Sequence, residues 1–311
     1  MGRSLLKIFS ILIIFVNCHW QDNDIRLKDI SARKVKVMTT TGMIADAVRN
    51  VGKERVEVRA LMGPGVDPHM YKASEGDVIR MIDADIIFYN GLHLEGKLGE
   101  VLAQLQRRVK TVAISDGISR EFLFSFPNFQ GNYDPHIWFD VNLWKAGVKM
   151  IEESLAELDT AHANVYGQNA EKYMQVLSEL NEYVYQQSQK IPAEKRVLIT
   201  AHDAFNYFGR AYGFEVYGLQ GLSTVAETGT ADIQNLAKFI VERKIPALFV
   251  ESSVPPRYIE ALQAAVNARG FKVSIGGSLY SDALGTENSS EGTYVGMMRY
   301  NIDTIVKALL Q

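Results

Sequence analysis

The sequence predicts an α/β fold of two βα lobes with parallel sheets joined by one long helix. Three observations predict it. From Val35 onward, short apolar runs bounded by turn residues alternate with helical patterns, the signature of parallel strands in βαβ units. Between Tyr166 and Lys190 apolar residues recur every three or four positions without a break, which is one helix of more than six turns. The length, 311 residues, suits two domains of about 150 residues rather than one.

The elements follow in chain order. Val35 to Thr40 (VKVMTT) alternates with period two, and a helical stretch opens at Gly42. Val56 to Met62 is a second strand, stopped by Gly63-Pro64-Gly65. The runs from Asp85 to Asn90 and from Val109 to Ser115 are two more strands. Trp144, Val148, Ile151, Leu155 and Leu158 lie on one face of a helix, and the Tyr166–Lys190 helix follows until Pro192 ends it. Beyond it come strands over 196–201, 214–219, 247–253 and 271–275, with helices over 231–243 and 257–269. A last helix carries Tyr294, Met297, Met298, Ile302, Ile305, Val306 and Leu309. The expected division is an N-terminal lobe over 35–158, a connecting helix over 159–191 and a C-terminal lobe over 196–311.

The bulk composition excludes several classes. Hydrophobic residues are 47% and charged residues 22% of the chain, which is neither disorder, nor a coiled coil, nor a multi-span membrane protein. A net charge of −3 leaves no basic footprint for nucleic acid. One cysteine allows no disulfide framework and no thiolate cluster.

The first 18 residues read as a signal peptide. Arg3 and Lys7 precede the apolar run Ile8 to Val16, which rises only about 13.5 Å as a helix and is far too short to span a bilayer. The only cysteine, Cys18, follows directly, as in a bacterial lipoprotein signal, although Phe15, Val16 and Asn17 depart from the usual residues before it. An exported protein is expected, periplasmic or on the cell surface, either anchored through lipid on Cys18 or released by cleavage of an ordinary signal with an incidental cysteine.

Four loop residues carry the chemistry. Asp67-Pro68-His69 follows the second strand, and Asp134-Pro135-His136 precedes a helix. In both, Asp suits an N-cap and Pro the first helical position. His202 follows strand RVLITA, and Asp282 follows the strand FKVSI and a flexible joint at Gly276-Gly277. Ligands in α/β lobes gather at the carboxyl ends of strands. Two of these residues belong to each lobe, so they would meet in the inter-lobe cleft. His69, His136, His202 and Asp282 would then offer a shell suited to Zn²⁺ or Mn²⁺. His19, His93 and His162 are read as solvated or hydrogen-bonded histidines, with His93 the one placed most like a ligand. Glu251 and Asp140 lie near ligand loops and are candidate partners for the histidines, though ordinary surface carboxylates account for them as well.

The segments TTTGMIADAV, LMGPGVDPHMY, ADIIFYNGLHLE, DPHIWFDV, RVLITAHDAFNYFGRAYGFEVYGLQG, FVESSVP and IGGSLYSDALG together resemble the metal-binding receptors of zinc and manganese ABC importers. The resemblance runs from Val35 to Leu310. It implies an extracytoplasmic solute-binding protein that takes one Zn²⁺ or Mn²⁺ per chain on His69, His136, His202 and Asp282. It also implies delivery to a membrane permease, a monomer, no nucleic-acid partner and no enzymatic activity. A rigid connecting helix with limited lobe closure is implied too. Members tuned to manganese often carry glutamate where this chain has His202, and dedicated zinc receptors often have a His-rich acidic loop that it lacks. Two other readings were weighed. A zinc hydrolase would need an open coordination position and a base such as Asp203, Glu95 or Glu251. A receptor for a metal chelate would want aromatic and basic cleft residues instead of converging histidines.

Overall fold

A computed structural model of the chain describes residues 29–125, 132–225 and 228–310. The signal sequence, Cys18 and His19 lie outside the described residues. The N-terminal half is a four-stranded parallel sheet in the order β2-β1-β3-β4, with β1 Val35–Thr39, β2 Val56–Ala60, β3 Ile86–Tyr89 and β4 Lys110–Ala113. Helices α1 Gly42–Gly52, α2 Glu75–Asp83 and α3 Gly99–Leu105 connect them. Helix α4 Val141–Leu158 leads into the long α5 Ala163–Gln189. The C-terminal half pairs β5 Val197–His202 with β6 Glu215–Gln220, and β7 Ala247–Glu251 with β8 Ser274–Leu279, all parallel. Strand β5 lies alongside β7. Helices α6 Asn206–Tyr212, α7 Thr230–Arg243, α8 Arg257–Asn267 and α9 Tyr294–Leu309 complete the half.

Strand alternation explains how the layers are glued. In β3, Ile86 and Phe88 face the central core while Ile87 faces a second one under α2 and α3. In β5, Leu198 joins the central core, whereas Val197, Ile199 and Ala201 face a third core with α7 and α8. Both faces of each sheet are thus buried, as parallel sheets require. The central core is continuous across the halves. Helix α5 buries Tyr166, Ala170, Tyr173, Leu177, Leu180 and Val184 against α1, α4 and α9. The Tyr173 hydroxyl and the Tyr294 N–H at the start of α9 both donate to Asp46 Oδ2 of α1, at 3.2 Å each. The connecting helix is therefore packed along its length and not a free strut.

Two sequence expectations need correction. The last strand runs Ser274–Leu279, not 271–275, so Gly276 and Gly277 are strand residues and not a flexible joint. They sit where α9 approaches: a Cβ on Gly276 would lie 2.6 Å from Ala308 Cβ, and one on Gly277 2.6 Å from Thr304 Cγ2. The two Asp-Pro-His aspartates are not helix N-caps. Asp67 Oδ1 accepts the His69 N–H at 2.8 Å and Asp134 Oδ1 the His136 N–H at 2.9 Å, which are side-chain turns closing two residues on. Asp140 is the residue that caps α4, through the Asn142 N–H at 2.9 Å.

One ion pair ties the base of the N-terminal half to the α4–α5 junction. Arg55 Nε lies 2.6 Å from Asp159 Oδ2, which also accepts from Tyr166. Burial works against the Asp159 charge, but Arg55, His162 and Tyr166 outweigh it and hold its pKa down to about 2. Arg55→Ala should cost about 3 kcal/mol at pH 7, because it leaves a buried carboxylate without its cation. The lowered pKa adds stability above the ordinary carboxylate value, and that part is lost as pH falls from about 4 towards 2. Urea unfolding at pH 7 and pH 3 checks both points, and the difference between wild type and variant should shrink at the lower pH.

Candidate metal centre

Three strand ends and the segment before α4 converge on one buried point. His69 lies in the turn after β2, His136 directly before a 3-10 turn over Ile137–Phe139, and Asp282 three residues after β8. His202 is the last residue of β5, which runs one residue past the end expected from sequence, and pairs with Gln220 of β6. One ligand atom from each of the four lies within 4.8 Å of all the others. His69 Nε2 is 3.3 Å from His136 Nε2, and Asp282 reaches His136 Nε2 at 3.6 Å and His202 Nε2 at 3.4 Å. His136 and His202 are fully buried, Asp282 is 1% exposed and His69 3%.

These atoms face one another without hydrogen-bonding each other well. His202 Nε2 and Asp282 Oδ1 are buried and have no hydrogen-bond partner. Orphaned buried lone pairs are costly unless something binds them. A tetrahedral cation of the zinc type would satisfy both, and three imidazoles with one carboxylate are a donor set it accepts.

The far side of the rings is held by carboxylates. Asp134 Oδ1 lies 2.8 Å from His136 Nδ1, and its other oxygen accepts from Asn206 at 3.1 Å. Glu251, at the end of β7, takes the His202 backbone N–H on Oε1 at 2.9 Å and faces the ring Nδ1 with Oε2 at 2.6 Å. Both contacts aim Nε2 at the cluster centre, the usual way a carboxylate orients a ligating histidine. Asp282 is steadied by the Ser253 hydroxyl at 3.1 Å. Of the two partners suggested by sequence, Glu251 is one and Asp140 is a helix cap. Asp134 was missed, although it stands two residues before its histidine.

Burial pushes the His69 pKa down to about 3, against the pull of Asp282. Burial also opposes charge on His202, yet Glu251 and Asp282 together hold its pKa well above the ordinary histidine value. Asp282 is held well below the carboxylate range, its burial outweighed by His202 and the other two rings.

One further residue shapes the site. Gly218 in β6 has no room for a side chain, since a Cβ would lie 2.4 Å from the His202 carbonyl carbon and the Asp203 nitrogen. His93 does not join the cluster. It lines a cavity of about 610 Å³ in the N-terminal half with Asp116 and Arg120. His162 hydrogen-bonds Asp159 at 3.1 Å.

Residues 37–308 match ZnuA, described as the periplasmic zinc-uptake complex component A. The chain belongs to that family. It is 53% identical over 283 residues to the zinc-binding protein TroA of Treponema pallidum (strain Nichols), covering 91% of each chain. It is 45% identical over 278 residues to the manganese-binding lipoprotein MntA of Bacillus subtilis (strain 168), covering 89% of this chain and 90% of that one. The solved structure of the periplasmic zinc-binding protein TroA from Treponema pallidum superposes with a TM-score of 0.87, over 89% of this chain and 99% of the other. The matched span includes all four loops of the cluster. The ZnuA-family assignment agrees with the resemblance drawn from sequence. Among the described residues no helix is long and apolar enough to cross a membrane.

Proposed function

We propose that this chain is the extracytoplasmic receptor that captures one Zn²⁺ or Mn²⁺ ion and hands it to the permease of an ABC importer. The observation that carries this is the buried convergence of His69, His136, His202 and Asp282 from both halves, with lone pairs otherwise unmatched. His69 and His136 come from one half and His202 and Asp282 from the other, so an ion on all four draws the halves together. In this reading the lobes are 35–158 and 196–311, pivoting little about the 159–191 connector because α5 is packed by helices of both.

The donor set favours Zn²⁺ over Mn²⁺ by the usual order of divalent affinities. Relatives bear both zinc-binding and manganese-binding names. Four protein ligands leave no coordination position for an activated water, so a binding protein fits better than a hydrolase. A monomer without nucleic-acid partners, exported and tethered by lipid on Cys18, completes the reading. Disruption of the gene should lower uptake of radioactive zinc or manganese at submicromolar concentration. Wild-type chain should restore it and His136→Ala should not; restoration by both would defeat the proposal.

A further inference from the structure

The three histidines of the cluster are not held alike. Asp134 fixes the His136 ring and Glu251 the His202 ring. Among the described residues no carboxylate grips the ring of His69. Its orientation depends on its backbone, and the backbone depends on Asp67, whose Oδ1 accepts the His69 N–H. The second oxygen of the same carboxylate accepts from Thr224 Oγ1 at 2.5 Å, and Thr224 belongs to the opposite half, after β6. Gly65, at φ 71°, faces the Ser252 carbonyl oxygen of that half, with ordinary van der Waals room for a Cβ between them.

His69 is also the ligand nearest the outside. It is 3% exposed against 0–1% for the other three, and its neighbour Met70 is 44% exposed. The loop that carries His69 is therefore the outer wall of the cluster, tied to the opposite half by the Thr224 hydroxyl.

We propose that Thr224 is a positioning residue, which through Asp67 ties the His69 loop across the cleft and slows the escape of the bound ion. The inference rests on the metal-receptor reading of the cluster. Thr224 touches no ligand atom of the four. Its contribution is to keep Asp67 seated so that His69 stays aimed at the cluster. A hydrogen bond from a neutral hydroxyl to a carboxylate is among the stronger kinds. Its loss should show in the rate of release, since the other three ligands are untouched.

The test compares wild type, Thr224→Val and Thr224→Ser as the full mature chain loaded with Zn²⁺. A chelator is mixed in rapidly and metal release is followed in time. Thr224→Val keeps the size and removes the hydroxyl, and should release Zn²⁺ about three- to tenfold faster. Thr224→Ser keeps the hydroxyl and should release at close to the wild-type rate. All three should still bind one ion per chain and melt at the same temperature without metal. A wild-type release rate in Thr224→Val would overturn the inference, as would Thr224→Ser releasing as fast as the valine variant. Wild type that binds no zinc at all would instead bring down the metal-receptor reading itself, and this inference with it.

Discussion

Asp282→Ala should lower the affinity for Zn²⁺ about a thousandfold, a loss of about 4 kcal/mol. Asp282 is the only carboxylate in the cluster, and its two oxygens face His136 and His202 from 3.6 and 3.4 Å. Without it a divalent cation would meet three neutral imidazoles in a buried site with no anionic ligand. Tight binding raises the melting temperature by mass action, so the zinc-dependent rise seen in wild type should vanish in the variant. His93→Ala serves as the control and should keep full affinity, because His93 lines a separate cavity. Equal affinity in Asp282→Ala and wild type would remove Asp282 from the shell.

The second large effect concerns protons. Glu251 and Asp282 favour the protonated form of His202 before metal arrives, whereas burial favours neutral His69. Metal needs the Nε2 lone pair of His202, so binding must expel its proton. Affinity should therefore fall as pH is lowered, with protons released as the ion binds. The sign follows from the raised pKa: lower pH populates the protonated competitor. The histidines' ordinary pKa alone predicts a fall only below about 6.5, and the carboxylates around His202 move its onset upward. Glu251→Gln removes the charge behind the ring, and should release fewer protons while weakening binding about 10- to 100-fold. Calorimetry in buffers of different ionisation enthalpy measures both. Equal proton release from wild type and Glu251→Gln would contradict the role given to Glu251.

Much of this was legible because it rests on local pattern. Apolar runs placed seven strands to within about two residues, and the 3–4 spacing located α4, α5 and α9. Three cluster residues could be named from their places after strands, and His136 from its repeated Asp-Pro-His ahead of a helix. The eighth strand was displaced because its glycines read as a joint. Only the packing of Ala308 and Thr304 against them shows why glycine is needed there. Helices α2, α3 and α6 were too short for a periodic signal, being 9, 7 and 7 residues long. The Asp67–Thr224 contact joins residues 157 apart, and no local rule links them. Asp134 could have been found, since an aspartate two residues before a buried histidine can reach both its N–H and its ring.

The central claim is that one ion is held jointly by the two halves. The most direct measurement is a competitive titration of Zn²⁺ and Mn²⁺ on chelator-stripped protein spanning residues 19–311 at pH 7.5, with bound metal counted per chain. The account predicts one tight equivalent, Zn²⁺ ahead of Mn²⁺, lost alike in His69→Ala from the first half and Asp282→Ala from the second. No tight equivalent, or one that survives both substitutions, would contradict it.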